Sequence, residues 1–351
     1  MERTENRSEL LEQALGGSRQ AFELITEPHR RELQVHCYRM LGSILDAEDM
    51  VQETLVRAWE KLHTFEGRAP LRAWLYRIAT NVSLDELAKR SKRSLPQELY
   101  PAADPMRPLS PAIMDPIWIE PFPDAWLEPA STDPAARYDQ RESVTLAFIV
   151  ALQSLPPRQR AILLLRDVLG LRSKEVADLL DLSTSAIESA LYRARRTLSN
   201  RYSSPTPAAL ASDPMLQDLL DRYVNAWEAA DIEGLVALMR EDATFPMPPS
   251  PTWVKGREQI RRFVTENILE GDARGRWKLL QTQANGQPAF AWYRRNPNGS
   301  TYAPFAIQVV SIDGGLVSDA TTFVLPQLFA AFELPLEIER PAQVKRKASW
   351  R

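Results

Sequence analysis

Along residues 175–198, "EVADLLDLSTSAIESALYRARRTL", apolar side chains recur at helical spacing, lapse, and recur again. Val176, Leu179 and Leu180 form one stripe and Ile187, Leu191, Ala194 and Leu198 a second, because residues three and four apart share a helix face. Asp181, Leu182, Ser183 and Thr184 interrupt the period, and Ser183 is placed to cap the second helix by accepting from its free N–H groups. Two short helices with one shared apolar side are predicted, a pattern that fits a helix-turn-helix and an ordinary packed hairpin equally.

Upstream, residues 18–93 keep a helical period with only Pro28 and Pro70 among them, and predict a helical domain over 1–93. From Pro96 to Pro134 ten prolines deny regular helix or central strand, so 94–137 is predicted to be a linker. It holds Ile117, Trp118, Ile119, Phe122, Trp126 and Leu127 among Asp115, Glu120, Asp124, Glu128 and Asp133, too aromatic for a purely solvated spacer, and part of it is expected to dock. Helical spacing returns over 138–201, followed by a simpler linker over 202–214.

A different grammar begins near 215 and runs to 336. "LQDLLDRYVNAWEAADIEGLVALM" and "GREQIRRFVTENIL" are amphipathic helices, with the short strand "ATFPMPP" between them. Later strands turn at Asn285-Gly286 and at Asp313-Gly314-Gly315, both strong hairpin signals among β-branched and aromatic residues. The prediction is an α+β domain whose antiparallel sheet is covered by helices on one side. No internal repeat is found, and the basic tail over 337–351 is predicted to be disordered.

With 351 residues there is room for two or three domains with separate cores. The chain is 44% hydrophobic and lacks any apolar run near the ~18 residues of a membrane span. The N-terminal "MERTENRSELLEQALGG" carries charge where a signal peptide needs an apolar stretch, and Cys37 is the single cysteine, so a cytoplasmic, reducing location is expected. A net charge of -3 gives no global attraction to nucleic acid, so any such attraction must come from local basic faces.

Residues 46–93 offer two surfaces. Asp49, Gln52 and Glu53 share one side of a helix, with Met50, Leu55 and Trp59 available to the core; a basic partner helix and plain solvent both suit that face. After the loop "HTFEGRAP", Arg68, Arg72, Trp74, Arg77 and Asn81 fall on or near a helix that ends in Lys89, Arg90, Lys92 and Arg93. Arginine neutralises phosphate, and aromatic or amide groups stack on or bond to exposed bases, although Trp74 and Tyr76 also suit a core.

"DAEDMVQETLVRAWEKLHTFEGRAPLRAWLYRIATNVSLDEL" resembles region 2 of bacterial sigma factors of the extracytoplasmic-function type, and "LPPRQRAILLLRDVLGLRSKEVADLLDLSTSAIESALYRARRTL" resembles their region 4. The resemblance implies that Asp49, Gln52, Glu53 and Arg57 bind the clamp helices of the polymerase's largest subunit. It implies that His63, Phe65, Arg68, Arg72, Trp74, Arg77 and Asn81 hold a flipped base of the -10 element, where pocket contacts offset the few kcal/mol that unstacking costs. Region 4 would read the -35 element through Ser185, Ala186, Glu188, Ser189, Tyr192, Arg193 and Arg196, and lean on the polymerase flap. The acidic linker would then run through the active-site cleft and RNA exit path. Two departures stand out: Asp181 where the family usually has glycine, and Glu188 and Ala190 where basic residues are common. Glu188 can accept from a cytosine amino group or close a capping box with Ser185.

Residues 215–336 are similar to the SnoaL-like, or nuclear transport factor 2-like, cone-shaped fold. The fold class expected is therefore multidomain: two all-α sigma domains followed by an α+β SnoaL-like domain. Such folds enclose a pocket, for which Phe245, Met247, Trp253, Trp292, Tyr302 and Phe323 are candidate linings, each equally suited to a core. Relatives of the fold include isomerases and hydrolases. Here His29, His36, His63 and Cys37 all precede the domain, leaving Asp231, Asp242, Asp319 or Tyr302 for acid-base work with no spacing that singles out a pair. No catalysis, cofactor or metal is expected, and the domain is read as a regulator, gated by a small apolar ligand and standing in for a separate anti-sigma protein. A regulator that binds DNA without joining polymerase is the alternative.

Overall fold

The computed structural model describes residues 2–67, 70–114, 117–127, 143–202, 213–271, 273–297 and 301–339; Arg68, most of the second linker and nearly all of the basic tail lie outside them. The chain divides into two compact units. The first comprises Met1–Glu98, Met114–Pro205 and Ala284–Gly286; the second comprises Leu99–Ile113, Thr206–Gln283 and Gln287–Arg351. The linker expected over 94–137 is thus shared between them. Among the described residues no helix is long and apolar enough to cross a membrane.

The first unit begins with helices α1 (Glu2–Leu15), α2 (Arg19–Thr26), α3 (Arg30–Leu41), α4 (Ile44–Glu60) and α5 (Leu71–Leu87). The prolines mark boundaries: Pro28 lies in a 3-10 turn between α2 and α3, and Pro70 immediately precedes α5. Ser18 and Ser43 cap α2 and α4 through their hydroxyls. Along α4 the buried stripe is Ile44, Ala47, Val51, Thr54 and Ala58. Met50, Leu55 and Trp59, expected in the core, are only half-buried. Thr54 takes the inward place because its hydroxyl donates to Met50 O (2.6 Å), which satisfies its polar group on the helix itself.

The core of these helices is threaded with polar pairs. His36 Nε2 and Thr80 Oγ1 share a hydrogen bond of 2.9 Å, and Ser83 Oγ donates to Cys37 Sγ. Burial drives the His36 pKa down to about 3 and the Cys37 thiol up to about 12, so the ring is neutral and the thiol unreactive near pH 7. Asp46 accepts from Arg90 (2.6 Å) and Arg93 (2.5 Å), and Arg93 also donates to Trp118 O (2.7 Å).

The aromatic stretch of the linker docks within this unit, as its composition predicted. Ser94 bridges Trp118 in parallel, Phe122 packs on Tyr38 with ring centroids 4.6 Å apart, and Tyr38 Oη donates to Glu120 O (2.9 Å). The Glu120 carboxylate accepts from Ser43 Oγ (2.7 Å), Ile44 N (3.0 Å) and Leu45 N (3.3 Å), joining Ser43 in satisfying the free N–H groups that open α4. Asn285, fully buried in the same unit, donates to Tyr38 Oη and Val144 O (both 2.7 Å) and accepts from Phe122 N (2.9 Å).

Helices α6 (Leu146–Gln153), α7 (Pro157–Leu163), α8 (Ser173–Leu180) and α9 (Thr184–Ser199) complete the unit. Ser183 caps α9 as predicted, accepting from Ala186 N at 3.2 Å. Val176, Leu179, Ile187, Leu191 and Ala194 are buried with Ile162, Leu163, Leu164 and Leu165, so the two stripes do share one side.

In the second unit, helices α10 (Pro214–Ala229), α11 (Ile232–Ala237) and α12 (Arg257–Asn267) accompany strands β1 (Met239–Pro246), β2 (Trp253–Lys255), β3 (Trp277–Ala284), β4 (Gln287–Arg295), β5 (Thr301–Asp313), β6 (Leu316–Phe323) and β7 (Ile338–Glu339). The sheet order is β2-β1-β6-β5-β4-β3, with β7 beside β5. The expected all-antiparallel sheet is mixed, because β1 runs parallel to β6. Asn285-Gly286 and Gly314-Gly315 form the two predicted hairpin turns, and all four residues hold φ between 56° and 74°, which glycine and asparagine tolerate best.

The segment Leu99–Ile113 is a strap on this unit. Tyr100 O accepts from Trp253 Nε1 (2.9 Å), Ala103 N donates to Trp253 O (2.8 Å), and Pro105 O accepts from Asn267 Nδ2 (3.3 Å). Ser110 exchanges bonds with Thr252 and Ser250, and Ile113 N donates to Pro249 O (2.9 Å).

Candidate nucleic-acid and partner interfaces

The side-by-side packing of α4 and α5 leaves a groove of about 480 Å³ lined by Asp49, Met50, Gln52, Glu53, Val56 and Arg57 from α4 with Val82, Asp85, Glu86 and Lys89. All four residues expected to meet polymerase lie along it. Arg57 is fixed at its edge, donating to Glu53 Oε1 (2.7 Å) and Asp85 Oδ2 (2.9 Å). Val56, half exposed, adds an apolar side chain to the lining that the sequence reading missed, and Asp85 adds a carboxylate from the second helix. An acidic rim around an exposed apolar strip suits a basic amphipathic helix.

On α5, Arg72, Arg77 and Asn81 are exposed, while Trp74 and Phe65 are half-buried against each other with centroids 5.3 Å apart. Tyr76 is buried and edge-on to His36, so it belongs to the core. His63 is exposed on the turn before the loop. Each described arginine is already engaged: Arg72 Nε donates to Glu32 Oε2 (2.6 Å) over the Tyr76 ring, and Arg77 donates to Asp181. Burial opposes the charge on Glu32, but hydrogen bonds from His29 and Arg72 hold its pKa below the usual carboxylate range. Glu32 and Arg72 are 40 residues apart, and no local pattern marks them as partners.

On α9, Ser185, Ala186, Glu188, Ser189, Tyr192, Arg193 and Arg196 are all exposed, a mixed face of small, basic, acidic and aromatic side chains. Ala190 is buried and belongs to the packed side, so it is no substitute for a base contact. Glu188 accepts a hydrogen bond from Ser173 Oγ, while Ser185 Oγ pairs with Ser183 Oγ at 3.1 Å. The capping box considered for Ser185 and Glu188 is therefore not formed; the carboxylate ties α9 to the start of α8. Asp167 holds Arg195 through two bonds of 2.9 and 2.6 Å, removing that arginine from the basic set.

In the second unit, Phe245, Met247 and Trp292 join one aromatic core with Trp227, Phe263, Trp277 and Phe290. Trp292 stands edge-on to Trp227 (4.5 Å) and Trp277 (5.4 Å). The indole N–H groups of Trp277 and Trp292 are buried with no acceptor among the described residues. Trp253 is occupied by the strap, Tyr302 Oη donates to Gly275 O (3.0 Å), and Phe323 is buried outside that core. The carboxylates weighed for acid-base work all hold structure: Asp231 caps α11, Asp242 pairs with Arg240 (2.8 Å), and Asp319 accepts from Thr244 and Thr321. Burial raises the Asp319 pKa against those hydrogen bonds.

Comparison with known families agrees with this division. Residues 25–93 match Sigma-70 region 2, residues 145–198 match Sigma-70 region 4, and residues 220–320 match the SnoaL-like domain. The ECF RNA polymerase sigma factor SigG of Mycobacterium tuberculosis is 46% identical over 316 residues, covering 90% of this chain and 84% of that one. SigJ of the same organism, also an ECF RNA polymerase sigma factor, is 28% identical over 252 residues, 68% of this chain and 70% of its own. The crystal structure of SigJ superimposes with a TM-score of 0.55 at 24% identity, covering 88% of this chain and 97% of that one, and so shares the fold.

Proposed function

The chain belongs to the ECF RNA polymerase sigma factors, and from that premise we propose how its surfaces divide the work of transcription initiation. The α4–α5 groove takes the clamp helices of the polymerase core, with Asp49, Gln52, Glu53 and Arg57 as its polar contacts. His63, Phe65, Arg68, Arg72, Trp74, Arg77 and Asn81 hold the -10 strand, the arginines on phosphates and the Phe65–Trp74 pair beside an unstacked base. The exposed face of α9 enters the major groove of the -35 element, with Ser185, Ala186, Glu188, Ser189, Tyr192, Arg193 and Arg196 toward the DNA. Glu188, held by Ser173, is oriented to accept from a cytosine amino group, which gives an atypical -35 preference.

The observation that carries this reading is how side chains divide over one helix pair: Asp49, Gln52, Glu53 and Arg57 line the α4–α5 groove, and Arg72, Arg77 and Asn81 are exposed on α5. The second unit modulates initiation rather than catalysing a reaction, since each carboxylate weighed for acid-base work is committed to a structural partner. The small apolar ligand expected of such a fold would act through this unit. The protein acts in the cytoplasm, where polymerase and promoter are. Run-off transcription with core polymerase tests the division: the whole chain yields a promoter-dependent transcript, and the double reversal Asp49→Lys/Glu53→Lys abolishes it. Transcription by that variant at the unaltered level overturns the assignment of the groove.

A further inference from the structure

The Arg72 guanidinium is set in a frame before any DNA arrives. Its Nε donates to Glu32 Oε2 (2.6 Å), and its Cζ lies 5.0 Å from the centroid of the Tyr76 ring, one turn further along α5. Tyr76 Oη donates to the same carboxylate oxygen (3.2 Å), and His29 Nδ1 shares a hydrogen bond of 2.5 Å with the other. Tyr76 is in turn edge-on to His36, with centroids 5.1 Å apart, and His36 is bonded to Thr80. Glu32 lies in the first turn of α3, where the unpaired N–H groups of the helix favour negative charge. With its pKa below the ordinary range, it is ionised near pH 7.

A carboxylate on a DNA-reading arginine either masks it or holds it, and burial decides between the two. An exposed carboxylate is displaced into water at little cost, as are those that hold Arg57, 42% and 58% exposed by side chain. Glu32 keeps only 12% of its side chain exposed, while Arg72 keeps 46%. Pulling the arginine away would strand a mostly buried charge, which costs more than one exposed phosphate contact returns. The pair therefore stays closed on DNA, and the solvent side of the guanidinium is the part left for the strand.

We propose that Glu32 is a positioning residue for -10 recognition: it holds Arg72 by Nε over the Tyr76 ring, so that the outer Nη groups meet one phosphate of the unstacked strand. The proposal rests on the assignment of Arg72 to that strand. Glu32 itself touches no DNA; it acts through the arginine. A lysine in place of Arg72 has a single nitrogen, which Glu32 claims, so charge alone does not replace the planar fork.

The test measures binding of holoenzyme, assembled from core polymerase and the whole chain, to a fluorescent fork of duplex with a single-stranded -10 tail. The fork is built on a promoter that this holoenzyme transcribes in run-off assays, and titration with core polymerase sets the active fraction of each variant. Arg72→Ala weakens binding about tenfold, the size of one charge-assisted contact. Glu32→Gln weakens it about three- to tenfold, although removing a negative charge near DNA favours binding by simple attraction. In an Arg72→Ala background Glu32→Gln has no further effect, and Arg72→Lys binds as poorly as Arg72→Ala.

Tighter or unaltered binding by Glu32→Gln, with Arg72→Ala weakened, overturns the positioning role and leaves the assignment of Arg72 standing. A Glu32→Gln effect that persists undiminished without Arg72 makes Glu32 a residue of the fold alone and overturns the proposal. Parent-like binding by Arg72→Lys overturns the held fork, because charge then suffices. Parent-like binding by Arg72→Ala overturns the assignment of Arg72 to the -10 strand, and the proposal with it.

Discussion

Regions 2 and 4 are both small helical assemblies, but they are held in different ways. Region 2 buries one carboxylate between counter-charges, Asp46 between Arg90 and Arg93, and seats Glu120 of the linker on the first turn of α4, while its buried Arg39 bonds neutral oxygens of Ser143. Region 4 is aliphatic, with Ile162, Leu163, Leu164, Leu165, Ile187 and Leu191 against one another, and its buried Arg160 faces only neutral oxygens. Paired buried charges are costly to break and demand one geometry, whereas an aliphatic core tolerates exchange of one apolar side chain for another of similar volume. The difference teaches that a charged network frames one helical assembly and aliphatic packing the other.

The sharpest way to break that comparison is Asp46→Ala, which leaves Arg93 buried without its carboxylate. A loss of about 3–5 kcal/mol in unfolding free energy is expected by urea denaturation. Leu191→Ala, from the aliphatic core of region 4, is expected to cost about 3 kcal/mol by the same measurement. If it costs more than Asp46→Ala, the polar network is not what frames region 2.

The smallest effect concerns pH. Burial, the leading cause, raises the Glu120 pKa against the lowering hydrogen bonds and Arg93. A carboxylate with a raised folded pKa favours the folded state below the ordinary carboxylate range and loses that contribution as pH climbs through the raised value. Glu120→Gln therefore gains on the parent as pH rises from about 4 to 7, read as the difference in urea midpoints. Glu32, with its lowered pKa, has the opposite sign: its contribution is present above the ordinary range and lost as pH falls, so Glu32→Gln gains on the parent toward acid. Two parallel profiles would remove Glu120 from the frame.

Much of this architecture was legible because it rests on local chemistry. Ser183 as a cap, the Asn285-Gly286 and Gly314-Gly315 turns, the stripes of α8 and α9, and the docking of an aromatic linker all follow from side chains a few residues apart. What escaped depends on distant partners. Glu120 finds α4 across more than 70 residues, Arg160 finds Met40 O across 120, and β1 pairs with β6 after the chain has turned through four other strands. Within α4 the apolar count pointed to Met50, Leu55 and Trp59, while the core chose Thr54 because a hydroxyl bonded to its own helix is no longer polar toward its neighbours. At the sites, exposure of the α9 face was readable from period alone, but the carboxylates that hold Arg72, Arg77 and Arg195 were not.

The strap over Leu99–Ile113 changes what can be learned by shortening the gene. The residues that receive it, Pro249, Ser250, Thr252, Trp253 and Asn267, are encoded well after the point where region 4 ends. A stop codon placed after the sigma regions would delete those residues and leave the strap in the middle of the product with its hydrogen-bond partners gone. Such a product is a sigma factor with an altered linker as well as a missing domain. The SnoaL-like domain is thus no detachable cassette, and its contribution is cleanly read only from substitutions that leave the strap seated.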